Sequence, residues 1–138
     1  MFSQTRLDTL VLKEVNDYRV SLKLSQVTFS KDCFQISETH TKKLIQTKDS
    51  IYHSDNFIGA EVVNYVTVKV DAKEKDPDVI LAKEIVNSWK SSKKHNEILI
   101  STKYKFAGSS SMISKTITGF NGKMIKTYLV FSTLNFKK

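Results

Sequence analysis

The 138-residue sequence contains a single cysteine, Cys33, a single proline, Pro77, and four glycines. One cysteine permits no disulfide within a monomer and no cysteine-based zinc site, so a disulfide-stapled secreted module is excluded. Secretion itself is not excluded, because a chain of this size buries enough surface to fold without staples. So little proline and glycine also excludes collagenous, linker-like and mostly disordered chains. No apolar run approaches the roughly 18 residues that span a bilayer. Met1-Phe2-Ser3-Gln4 leads straight into a helical pattern, with no basic n-region and apolar h-region, so no targeting segment is expected within the sequence. His-Glu-x-x-His, a Walker phosphate loop, Gly-x-Gly-x-x-Gly and a Gly-x-Ser-x-Gly elbow are all missing. Their absence argues against zincin, nucleotide-binding and serine-hydrolase chemistry.

What is present is 40% hydrophobic and 26% charged, the balance of one folded unit. The net charge of +8 is unevenly spread. Residues 1–88 hold 12 basic and 13 acidic side chains, whereas residues 89–138 hold 10 basic ones against Glu97 alone. Such asymmetry can mark a surface facing polyanions. Only Arg6 and Arg19 are arginines, however, and both lie outside the basic half. Arginine is the residue suited to bidentate phosphate or guanine contacts, so nucleic acid is disfavoured and solvated lysines are the simpler reading.

Leu7, Leu10, Val11, Val15, Tyr18 and Leu22 follow a 3-4 spacing, which predicts an amphipathic helix over 6–21. Ser30 is placed to N-cap a second helix over 31–47, with Phe34, Ile36, Leu44 and Ile45 as its apolar positions. Gln46–Asn56 reads as loop, and the valine-rich run 61–70 as a strand. Asp76-Pro77-Asp78 opens a third helix with the stripe Leu81, Ile85, Trp89. Segments 112–118 and 123–133 flank Gly119-Phe120-Asn121-Gly122, a hairpin signal. Tyr128-Leu129-Val130-Phe131 lacks polar alternation and implies cover on both faces. The expected class is α+β, a three-layer α-β-α sandwich with a small, mostly antiparallel sheet between helices.

Of three histidines, His40 lies on the stripe of the second helix and reads as a satisfied core residue. His53, in the polar loop, and His95, after the Trp89 helix, are free of any apolar pattern. Glu61 opens the valine-rich strand, where a carboxylate must be solvated, paired or bound to a cation. If the fold gathers His53, Glu61 and His95, the set can bind zinc with an open position.

The order of these residues resembles the CAP superfamily (cysteine-rich secretory, antigen 5, pathogenesis-related 1), in its bacterial, cysteine-poor branch. Glu14-Val15-Asn16-Asp17-Tyr18-Arg19 is similar to the family's Asn-x-Tyr-Arg helix, and Val27-Thr28-Phe29-Ser30 follows at a suitable distance. Ala60-Glu61-Val62-Val63 resembles Gly-Glu-Asn-Ile, and Trp89-x-x-Ser92-x-x-His95 has the spacing of Trp-x-x-Ser-Pro-Gly-His. Lys103-Tyr104-Lys105-Phe106-Ala107-Gly108 then opens a central strand.

The match runs over 7–133 and implies a single CAP-like domain over 1–138. It also implies a cleft formed by His53, Glu61, Ser92 and His95. His53 and His95 would be the residues for zinc or another divalent cation. Ser92 stands where many members carry a second acid, Ala60 and Val62 replace the glycine and asparagine, and Lys93-Lys94 replaces Pro-Gly. The resemblance implies a secreted or surface-attached, non-enzymatic protein that binds a small molecule, a lipid or sterol, a cation, or a host or envelope partner. A metal-assisted hydrolase with Glu61 as base is the second reading. A polyanion binder using the basic half is the third.

Overall fold

The computed structural model describes residues 3–47 and 51–138. The loop residues Lys48-Asp49-Ser50 and the first two residues lie outside the described set. Along the chain come α1 (Arg6–Ser21), β1 (Thr28–Phe29), α2 (Lys31–Thr47), β2 (Ala60–Asp71), α3 (Pro77–Lys90), α4 (Lys93–Leu99), β3 (Phe106–Phe120) and β4 (Met124–Lys137). The sheet order is β1-β3-β4-β2. Only the short β1–β3 pair is parallel; β4 runs antiparallel to both β3 and β2. α2 covers one face, while α1, α3 and α4 form the layer on the other. The α-β-α sandwich expected from the sequence is therefore the observed fold.

Helix starts follow the capping chemistry. The Thr5 hydroxyl accepts from Asp8 N–H at 3.1 Å and the Asp8 carboxylate accepts from Thr5 N–H at 2.9 Å, a reciprocal capping box. The second Asp8 oxygen accepts from Ser111 N–H at 2.8 Å, which ties the start of α1 to β3 beyond the end of β1. Burial pushes the Asp8 carboxyl above the ordinary carboxylate range, and the N–H groups of Thr5 and Ser111 pull against that shift. Ser30 caps α2 as expected, accepting from Cys33 N–H at 3.2 Å. Asp76 precedes Pro77 at the start of α3, but its carboxylate turns outward to the Arg6 guanidinium at 2.5 and 2.8 Å.

The main core lies between the sheet and the α1/α3/α4 layer. Leu7, Val11 and Val15 meet Leu81, Ile85 and Trp89 there, over Val62, Val130 and Leu134. The α2 face differs from its predicted apolar stripe. Its buried residues are Cys33, Phe34, Ser37, Glu38, His40, Thr41 and Leu44, and Ile36 is only half-buried. Two of these polar groups are satisfied by the sheet below. Ser37 donates to the Gly108 carbonyl at 2.7 Å, and the Thr41 hydroxyl meets the Ser110 carbonyl at 3.1 Å and the Thr133 hydroxyl at 2.9 Å. Leu44, Val63 and Phe131 form a small apolar cluster on this side, and Cys33 and Phe34 are buried at the start of α2.

The hairpin is longer than its pattern suggested. Pairing runs from Phe106↔Lys137 to Phe120↔Met124, with an irregularity at Ser114. Gly122 takes φ +76°, which lets the chain reverse at Asn121-Gly122. Tyr128, Val130 and Phe131 are buried, whereas Leu129 lies past the end of α2 and is half-exposed.

Candidate functional site

Glu61 is the buried centre of the site. β2 is the outer strand on its side of the sheet, and Glu61 sits one residue from its start, opposite Asn135 of β4. Its side chain is fully buried, and four donors converge on its two oxygens. One oxygen accepts from Ser54 N–H at 2.8 Å and from His53 Nδ1 at 3.1 Å; the other accepts from the Ser54 hydroxyl at 2.6 Å and from Asn135 Nδ2 at 3.1 Å. An ionised carboxylate is an acceptor only, with about four lone-pair sites, and all are used here. The strand-edge glutamate is thus the anchor of the His53-Ser54 segment, and water does not reach it.

Because the carboxylate can only accept, Nδ1 of His53 carries the proton in this bond. Neutral His53 then presents Nε2 as a lone pair, and its half-exposed ring opens that lone pair to solvent. A carboxylate behind the other ring nitrogen fixes tautomer and orientation, as it does behind metal-bound histidines.

Asn135 carries the arrangement inward. Its Nδ2 also donates to Ser37 Oγ at 2.9 Å, and the Ser37 hydroxyl in turn donates a hydrogen bond to the Gly108 carbonyl. One chain of bonds therefore joins α2, β3, β4, β2 and the site loop. A second tie comes from His40, whose buried Nε2 lies 2.5 Å from the Tyr52 carbonyl, next to His53. His40 is the satisfied core histidine expected. Where the loop passes α2 it helps wall a cavity of about 190 Å³, with His40, Lys43 and Ser54 among its lining.

His95 arrives on α4, a helix that the sequence pattern did not reveal. Ser92 is the N-cap position of α4, and its side chain makes no capping bond. The Asn-x-Tyr-Arg stretch of α1 positions this helix. The Tyr18 hydroxyl donates to Asn96 at 2.7 Å, and the buried Arg19 guanidinium donates to the carbonyls of Leu99 at 2.8 Å and Ser101 at 2.9 Å. Asn16 bonds Val27 in both directions, at 2.8 and 3.0 Å, and so holds the chain entering β1. Desolvation pulls the Arg19 pKa down, since carbonyls rather than a carboxylate surround it.

His95 is half-buried, and burial holds its imidazole below the ordinary range, with a protonated His53 pushing the same way. Of the two histidines, only His53 bonds to Glu61.

A family model matches residues 12–132, described as the cysteine-rich secretory protein family, CAP. The chain belongs to the CAP family. Solved CAP-like structures agree with its fold. An outer surface protein from Borrelia burgdorferi superposes with TM-score 0.60 at 16% identity, covering 99% of this chain and 96% of that one. An extracellular protein containing an SCP domain from Bacillus anthracis gives 0.56 at 12% identity, covering 96% of this chain but 40% of that longer one. No curated protein sequence matches.

For a CAP domain the implied metal is testable against the donors. Among the described residues no group of three or more His, Cys, Asp or Glu side chains is arranged to hold a metal ion. Glu61 has no free lone pair to offer without giving up one of its donors. The donors therefore do not form a three-ligand zinc centre; Glu61 serves as the carboxylate behind the His53 ring. The same saturation leaves Glu61 no free acceptor for a substrate proton, which is what a general base needs.

The lowered His95 pKa sets a pH dependence. The unfolded chain binds this proton near the ordinary 6.5, and the folded chain binds it only at lower pH. Stability from this group is thus complete above 6.5 and is lost as pH falls through 6.5 toward the folded value. Urea melts at neutral and mildly acidic pH should show a smaller acid-side loss in His95→Gln than in the wild type. Equal losses in both proteins would refute the assignment.

Proposed function

We propose that this CAP domain is non-enzymatic, acts outside the cytoplasm, and binds through His53 and His95. The preferred ligand is a divalent cation, or a partner that supplies one. The observation that carries this reading is the four-donor seat of Glu61. It consumes the carboxylate in orienting His53 and leaves Nε2 as the free electron pair. His95, held neutral by its surroundings, supplies a second imidazole without a deprotonation cost. An extracytoplasmic setting is supported by the family's description and by the outer-surface and extracellular descriptions of the structural relatives. The described residues contain no helix long and apolar enough to cross a membrane. Ser92, at the mouth of α4, belongs to the same proposed cleft as a polar lining residue.

Calorimetric titration of Zn²⁺ tests the binding. The wild type should show one site that His53→Ala/His95→Ala abolishes. Glu61→Gln should weaken it by about tenfold or more, because the orienting charge behind His53 is gone. No heat in the wild type, or equal heats in the wild type and the double variant, would overturn the reading.

A further inference from the structure

The far end of the sheet carries a second feature, remote from the histidines. Beyond Ser114 the β3–β4 hairpin carries apolar residues that no helix covers. Phe120 is 73% exposed, more than any other large hydrophobic residue described, with Met124 at 47% and Ile117 at 45%. Phe120 and Met124 are directly paired across the strands, so both side chains stand on one face of the tip. Positive charge surrounds them. Lys115, Lys123 and Lys126 lie on the hairpin, residues 113–127 contain no carboxylate, and Lys69 and Lys73 flank it. The acids nearby are Asp71, which meets Lys123 at 3.7 Å, and Glu74 in the adjoining turn.

We propose that this hairpin tip is a contact site for an anionic lipid surface. Phe120 and Met124 also line an open cavity of about 470 Å³ with Asp71, Lys73 and Lys123, but a two-stranded tip is narrow and cannot supply the roughly 800 Å² per partner of a stable protein interface. A bilayer interface requires no matching concave surface. It takes Phe and Met side chains to the headgroup–acyl boundary, while lysines snorkel to the phosphates. The turn fixed by Gly122 presents the pair as a preformed wedge. Glu61 and Asp71 lie at opposite ends of β2, ten strand steps or roughly 33 Å apart. A docked tip therefore holds the histidine end away from the bilayer. The proposal shares no residue with the histidine site, so either can fail alone.

Co-sedimentation of the full chain with vesicles tests it, using phosphatidylcholine alone and phosphatidylcholine mixed with phosphatidylglycerol. The wild type should bind only the mixed vesicles, and less at high salt. Phe120→Ser/Met124→Ser should cut the partition coefficient by about tenfold or more. Replacing Lys115, Lys123 and Lys126 with glutamine should cut it by about a hundredfold, at roughly fivefold per lysine. All these residues are at the surface, so unchanged melting temperatures would show intact folding. Absence of wild-type binding to the mixed vesicles would overturn the proposal. So would binding that Phe120→Ser/Met124→Ser leaves intact alongside equal binding to heparin, which marks a plain polyanion site. A wild-type dimer that Phe120→Ser dissociates would assign the tip to a second copy of the chain instead.

Discussion

Gly108→Ala is expected to cost about 3 kcal/mol or more of folding stability and to lower the melting temperature by about 10 °C. A Cβ at Gly108 would stand 2.7 Å from the Phe34 Cα and 2.8 Å from the Ser30 carbonyl oxygen, and closer still to the Phe34 amide nitrogen. All three atoms are backbone in or beside the first turn of α2, so no rotamer change relieves the clash. The helix itself has to lift. Lifting it also pulls Ser37 from the Gly108 carbonyl and from Asn135, which is the second link to Glu61. The substitution should therefore loosen the site as well as the fold. Gly119→Ala is the control: the same strand, the same added methyl, and nothing within 4 Å of it. It should be neutral or stabilising by up to about 1 kcal/mol, from the smaller entropy of the unfolded chain. Thermal melts of the two variants compare the cases directly, and equal melting temperatures would refute the close-packing account.

The elements that the sequence revealed are those whose own side chains dictate them. The 3-4 spacing of α1, the Ser30 cap of α2, the valines of β2 and the Asn-Gly turn are local signals, and the structure has each at the expected place. What stayed hidden depends on partners distant in sequence. Ser109-Ser110-Ser111 has weak strand propensity, yet it is buried in β3 because Thr41 and Asp8 bond its backbone. α4 has no apolar period over its 7 residues and is held by Tyr18 and Arg19 from α1. The same holds in the site. Order along the chain pointed to His53, Glu61 and His95, and the bond between His53 and Glu61 lies where that reading expected a meeting. The reading missed Ser54 and Asn135 as the other donors; of the solvated, paired and cation-bound states open to Glu61, the structure has the paired one. One signal for Asn135 was available. An asparagine inside the otherwise apolar end of β4 is poorly suited to a strand, which points to a specific partner.

Removing the carboxylate from position 61 separates its structural role from its orienting role. Glu61→Leu should destabilise the fold by about 2–5 kcal/mol, because the Ser54 N–H and Asn135 Nδ2 lose their acceptor in a place water does not reach, at about 1–3 kcal/mol each. Asn135 Oδ1 already has no partner, so the amide cannot answer the loss by turning over without exposing another deficit. Glu61→Gln is milder, about 1–2 kcal/mol. It keeps one oxygen for Ser54 N–H and His53, and the Ser54 hydroxyl can rotate to accept from the new amide. Asn135 then faces a donor with its own donor. A second change, Asn135→Asp, offers that amide an acceptor and should recover part of the loss in the Glu61→Gln background while destabilising the wild-type background, where two carboxylates would meet. This crossing of signs separates a direct bond from two independent defects. Urea denaturation of the four proteins reads it, and additive losses would show that Asn135 and Glu61 do not act as one unit. Chemical shifts of the His53 ring should also move in Glu61→Gln, because Nδ1–H then faces a neutral oxygen. An unchanged ring would mean that the carboxylate does not orient the histidine.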